Sequence, residues 1–152
     1  IVGRALAKKS FQTFTVSHST GYTSFAIHYV LMDYSHPLHQ HHMRIESTRQ
    51  KTGLWWHITS NSTSAKKSTL RTWMRRRLRS AFGGELENRG ITETGTILST
   101  SGIRTPAIRA LLDKKENVTL SGSIRLQVQP AMLTARYDEV KQETSALLDI
   151  LL

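Results

Sequence analysis

The sequence predicts a small α+β fold: a small sheet packed by two or three helices, with a basic, partly extended N-terminal arm over residues 1–53 and a compact domain over 54–152. Three observations predict it. Across 118–128 the residues Val118, Leu120, Gly122, Ile124, Leu126 and Val128 alternate strictly with Thr119, Ser121, Ser123, Arg125 and Gln127, which is the period of a half-buried strand. Across 68–83 and again across 134–151 the apolar residues recur at helical spacing, so each segment presents one apolar stripe to a core. Residues 54–58, Leu-Trp-Trp-His-Ile, form a short apolar and aromatic run that suits a strand. A strand upstream of a helix, strand, helix order argues for α+β, and a chain of 152 residues is long enough for one core.

The arm comes first. Its initial 32 residues carry Arg4, Lys8, Lys9 and eight Ser or Thr without an acid. That is the composition of a mitochondrial transit segment and equally of a basic arm. After the turn signal ending at Gly21, Phe25, Ile27, Tyr29 and Leu31 alternate, which predicts a strand within the arm that pairs with the sheet or lies on a partner.

Beyond the strand at 54–58, the Ser, Thr and Asn residues at 59–64 read as a loop. Ser68 is the expected N-cap of an Arg-rich helix near 68–83, with Leu70, Trp73, Met74, Leu78, Ala81 and Phe82 inward. Arg71, Arg75 and Arg79 fall four apart on a neighbouring stripe, and Arg76 widens it. Arg77 sits nearer the apolar side, where its stem packs and its guanidinium reaches the rim. Gly83 and Gly84 are expected to stop or kink the helix, and Gly90 to cap a further turn.

Thr105 and Pro106 predict a short helix ending near Asn117, with Ile108, Leu111 and Leu112 buried. Gly122, inside the alternating strand, marks a bulge or a close approach by another backbone. Thr134 is the expected cap of a last helix carrying Tyr137, Val140, Leu147, Leu148 and Leu151, with Asp138 and Glu139 in its first turn. Leu126 is expected to share a core with Leu147 or Leu148.

Charge divides the chain. Lys and Arg number 21 against 11 acids, a net charge of +10, and a balance this far from zero speaks of an anionic partner. Residues 1–84 hold thirteen of the bases and only two acids, Asp33 and Glu46, whereas 85–152 hold eight bases and nine acids. Hydrophobic residues make up 38%, lean for a globular domain, so part of the chain is expected outside the core. With no cysteine there is no disulfide, thiolate metal site or cysteine nucleophile. The longest nearly apolar run, 25–32, falls well short of the ~20 residues of a membrane-spanning helix.

No P-loop, Gly-x-Gly-x-x-Gly, Gly-x-Ser-x-Gly or His-Glu-x-x-His occurs. Ser99-Thr100-Ser101-Gly102 has no placed histidine base. No catalytic residue, cofactor or small-molecule substrate is therefore expected. His36, His39, His41 and His42 fall within seven residues. Imidazoles at such density invite a metal reading, but they surround Pro37 without a nearby rigid element, so a solvent-facing or phosphate-facing loop and no metal site is expected.

The Arg-rich helix is the most informative feature. Like charges four apart destabilise a helix by roughly 0.2–0.5 kcal/mol per pair, and no acid offsets them between Ser47 and Gly84. Five of the six basic residues across 67–79 are Arg, whose planar fork makes bidentate contacts to phosphate. Lys66, Lys67, Arg71, Arg75, Arg76 and Arg79, with Arg49 and Lys51, are the predicted RNA-binding residues. Trp55, Trp56 and His57 are candidates for stacking on unpaired bases, though core packing is the favoured role of the tryptophans.

In layout, with residues 66–79 as its sharpest segment, the chain resembles a mitochondrial ribosomal protein. The resemblance implies a structural constituent of the ribosome in the mitochondrial matrix, with ribosomal RNA and neighbouring ribosomal proteins as partners. Two alternatives stand beside it: a free nucleic-acid-binding regulator or ribosome assembly factor, and an adaptor whose basic helix docks on an acidic protein.

Overall fold

The computed structural model describes residue 6 and residues 9–25, 27–99 and 118–152. They form a three-stranded sheet with four α-helices, the mixed α+β architecture expected from the sequence. In chain order the elements are β1 (Phe14–Ser19), α1 (His28–Met32), α2 (His39–Thr48), β2 (Leu54–Thr59), α3 (Ser68–Asn88), β3 (Gly122–Val128), a 3-10 turn (Pro130–Leu133) and α4 (Tyr137–Leu151). The helix expected from Thr105 lies outside the described residues.

β3 is the middle strand, antiparallel to β1 and parallel to β2. Its alternation explains the position. Ile124, Leu126 and Val128 are buried on the face turned toward the helices, alongside Phe14 and Val16 of β1 and Leu54, Trp56 and Ile58 of β2. Met74, Leu78, Ala81, Phe82 and Leu86 of α3 complete the core with Val140, Leu147 and Leu148 of α4. Leu126, Leu147 and Leu148 thus occupy one core, as expected.

The strand is shorter than its alternation. It begins at Gly122, whose φ is +110°, and a Cβ there would stand 2.8 Å from the carbonyl oxygen of Ser19. The expected close approach of another backbone is therefore real, and it falls at the strand's first residue. Upstream, Thr119 bridges to Thr96 and the Leu120 amide donates to the Gly95 carbonyl at 2.9 Å.

The arm's strand is not the one the alternation indicated. Residues 28–32 are helical, and the strand that pairs with the sheet is β1, eleven residues earlier than the alternation suggested. Apolar residues at 25, 27, 29 and 31 fit period two, but Ile27, Val30 and Leu31 fit a helical turn as well, and so short a run does not discriminate. The two residues just before β1 are anchored by α4. The amides of Gln12 and Thr13 donate to the Glu143 carboxylate at 2.8 and 3.1 Å, and the Thr13 hydroxyl donates to it as well.

Three helix boundaries differ from expectation. α3 is entered at Lys67 rather than capped by Ser68, and no side chain bonds its first amides. It continues through Gly83 and Gly84 to Asn88, because the buried stripe Ala81, Phe82 and Leu86 spans the glycines and outweighs their ~1 kcal/mol helix penalty each. Gly90, at φ +68°, closes the end as expected. α4 starts at Tyr137. Thr134 instead closes the 3-10 turn, its hydroxyl donating to the Ala131 carbonyl, and Glu139 accepts the Arg136 amide at 2.9 Å.

Candidate nucleic-acid interface

α3 sorts its basic residues by what they touch. Arg71 is half-buried, and its Nη1 donates to the carbonyls of Ala65 and Lys66 at 2.8 and 2.6 Å, bracing the chain where it enters the helix. Arg77 reaches across to the segment before α4 and donates to Met132 and Ala135 carbonyls at 3.2 and 2.7 Å. Its guanidinium also lies 5.0 Å from the Trp73 ring centre. The expected emergence of Arg77 at the rim is replaced by a tether. At the far end, Arg89 pairs with Asp149 at 2.8 Å and donates to Ser145.

Arg75, Arg76 and Arg79 are exposed and line one shallow depression with Thr72 and Ile58. Arg75 donates to the Thr72 hydroxyl at 3.2 Å. Among the described residues no carboxylate lies within ion-pairing distance of these three arginines, or of Lys66 and Lys67, which are exposed at the helix entrance.

Two further depressions join this one end to end. Arg79 also lines a hollow at the outer edge of β2 with Arg49, Trp56 and Glu93. Thr72 and Arg76 also line a hollow with Ser68, Thr69 and Trp73. The arginines therefore belong to one strip along α3, continued toward Arg49 at one end and Trp73 at the other. Lys51 is exposed in the turn before β2.

The aromatic residues are distributed differently from the expectation. Trp55 is only 8% exposed, and it is covered by Tyr22 edge-on and by the Arg49 guanidinium at 3.8 Å. Trp56 packs on Phe82 and donates from Nε1 to the Glu93 carbonyl. Packing, the favoured role, is what both tryptophans do. Trp73, by contrast, is expected on the buried stripe but is 45% exposed, and Leu70 is exposed too. Trp73 is the residue that sequence reasoning missed. Its one signal was position: it lies at the margin of the stripe, one residue before the fully buried Met74.

His57 faces the opposite side of the sheet from Trp56, beside Arg125 across the ladder. Its Nε2 and the Arg125 Nε are buried without a hydrogen-bond partner. Phe25 lies over both side chains. Burial first, then the Arg49 guanidinium, holds His57 below the usual imidazole pKa, with Arg79 adding to the effect and Glu46 opposing it. Glu46 is bound by the Ser24 hydroxyl at 2.7 Å, and Arg49 Nη1 contacts the same hydroxyl at 3.4 Å.

The histidine cluster is not a loop. It runs into α2, whose first residue His39 is buried and bonds the Val30 carbonyl through Nδ1 at 3.0 Å. His36 Nδ1 accepts the Leu38 amide at 3.1 Å. These two imidazoles hold the α1–α2 corner, and among the described residues no three His, Asp or Glu side chains converge as a metal site.

No family model, curated protein or solved structure matches the chain. The chemistry of the strip must speak for itself. Exposed guanidinium groups with free donors recognise phosphates. The three side chains fall at 75, 76 and 79, within little more than one helical turn, so neighbouring phosphates of one strand can be met together. Among the described residues no helix is long and apolar enough to cross a membrane.

Proposed function

We propose that the protein is a non-enzymatic, structural RNA-binding component of the mitochondrial ribosome, holding the phosphate backbone of ribosomal RNA on the exposed arginines of α3. The observation that supports RNA contact is the strip itself: Arg75, Arg76 and Arg79 exposed side by side with no carboxylate partner among the described residues. Mutual repulsion makes this display unfavourable in water and favourable against a polyanion. Lys66 and Lys67 extend the basic surface at the helix entrance, and Arg49 and Lys51 extend it before β2. A permanent RNA complex also neutralises a net charge of +10, which a freely diffusing regulator would carry uncompensated. Tyr29, Met32 and Tyr34, all exposed on the α1–α2 corner, suit contact with neighbouring proteins of the particle.

Titration of the full chain with RNA against salt tests the reading. Six phosphate contacts give a slope of about −4 in log K against log salt, and replacing Arg75, Arg76 and Arg79 together by Gln makes it shallower by about 2. Binding that ignores salt refutes RNA recognition. Co-sedimentation with mitochondrial ribosomal particles after a high-salt wash tests the particle, and its failure with intact RNA binding would point to a factor that binds and leaves.

A further inference from the structure

Consecutive residues of a strand point to opposite faces, and β2 places two tryptophans in succession. Each carries an arginine. The Arg49 guanidinium lies over the Trp55 ring, 3.8 Å from its centre, and that of Arg79 lies over Trp56 at 5.9 Å. Both guanidinium groups nevertheless line one hollow, because β2 is an edge strand and the two arginines straddle that edge from the sheet's two sides.

The edge also contributes backbone. The Leu54 amide points away from β3, donating to the Thr94 carbonyl at 2.8 Å. Backbone groups alternate in direction along a strand, so the Trp56 amide, two residues on, points to the same open side. Stacking on a ring uses the face of a guanidinium and leaves its N–H edge free. Arg49 makes one long contact, to the Ser24 hydroxyl at 3.4 Å, and no hydrogen bond or ion pair engages the Arg79 guanidinium among the described residues. The hollow therefore gathers two positive groups, one of them fixed by stacking, around an outward amide.

We propose that this hollow holds one phosphate of a single-stranded stretch of RNA, clamped between Arg49 and Arg79 at the outer edge of β2. The proposal rests on the RNA-binding reading above and makes it specific. Arg79 belongs also to the α3 strip, so a strand lying on Arg75 and Arg76 runs directly into the clamp. A regular duplex keeps its phosphates on a stiff cylinder, whereas an unpaired strand bends into a hollow one nucleotide at a time. Glu93, on the same rim, opposes a phosphate, so removing its charge tightens binding.

Fluorescence anisotropy of the full chain with a 12-nucleotide single-stranded RNA and with a duplex of the same length tests this. Arg49→Gln is expected to weaken single-strand binding about tenfold, the value of one charge-assisted hydrogen bond, and to weaken duplex binding several-fold less than that. Arg49→Lys keeps the charge, loses the stacked fork and should fall nearly as far, whereas Glu93→Gln should strengthen single-strand binding. Arg49 is exposed, and an unchanged thermal midpoint confirms that each variant is folded. Equal losses on both RNAs, or none on either, overturn the clamp while leaving RNA binding by α3 intact. Displacement of the single strand by an eight-residue acidic peptide, with the same dependence on Arg49, assigns the edge to a protein strand instead. A wild-type chain that binds neither RNA overturns both readings.

Discussion

The two sides of α3 use the same residue type for opposite ends. On the side facing the 3-10 turn and α4, Arg77 and Arg89 spend their donors on Met132, Ala135 and Ser145, and Arg89 also pairs with Asp149. On the other side, Arg75, Arg76 and Arg79 make one hydrogen bond among the described residues, from Arg75 to the Thr72 hydroxyl. One helix thus carries a tethered set, which holds the body together, and an open set, which is left for something outside. Arginine content alone therefore does not locate a contact surface; the partners that each guanidinium already holds do.

The largest effect is expected at the core on which both sides of α3 rest. Leu126→Ala empties a fully buried position shared with Leu147 and Leu148 and should cost ~2–5 kcal/mol in urea unfolding. Gln127→Ala, on the opposite face, should cost far less. Equal losses would show that the sheet's second face, where Phe25 covers His57 and Arg125, bears as much of the fold as the helical face.

Next in size is the tether. Arg77→Ala leaves two part-buried carbonyls without their donor and should destabilise the fold by ~1–3 kcal/mol, with the salt slope of RNA binding unchanged. The triple Gln variant of the open set should do the reverse, moving the slope and holding stability within ~0.5 kcal/mol. If Arg77→Ala moves the slope and spares stability, the two sides are not distinct.

The smallest effect is a pH dependence at His57, which lies under Phe25 and near Arg49. Its folded pKa is lowered, by burial before charge, so folding favours the neutral ring. The stability this confers is complete above the unfolded value of about 6.5 and is lost as pH falls through that value toward the folded one. The thermal midpoint of the wild-type chain should therefore drop more between about pH 7.5 and pH 5.5 than that of His57→Gln. Parallel curves would mean that the ring is as easily protonated folded as unfolded.

Much of the fold was legible in the chain. The alternation around Leu126 announced β3 and its buried face, and the helical spacing of Met74, Leu78 and Phe82 announced α3. Gly122 and Gly90 announced a close approach and a helix end. Of the candidate site, the open set Arg75, Arg76 and Arg79 was readable as a basic stripe. The true roles of Arg71, Arg77, Trp73 and His39 were not.

The sequence by itself determined the α+β class, the faces of β3, α3 and α4, and the excess of positive charge, because side-chain periodicity and composition are local properties. Only the tertiary structure decided which stretch of the arm became a strand, since β1 is defined by pairing Phe14 with Val128 and Val16 with Leu126, residues far away in the chain. It also decided which arginines are free. Whether a guanidinium is a tether or an open donor depends on the carbonyls that packing brings within about 3 Å of it, and those of Met132 and Ala135 reach Arg77 only when α4 has docked on α3.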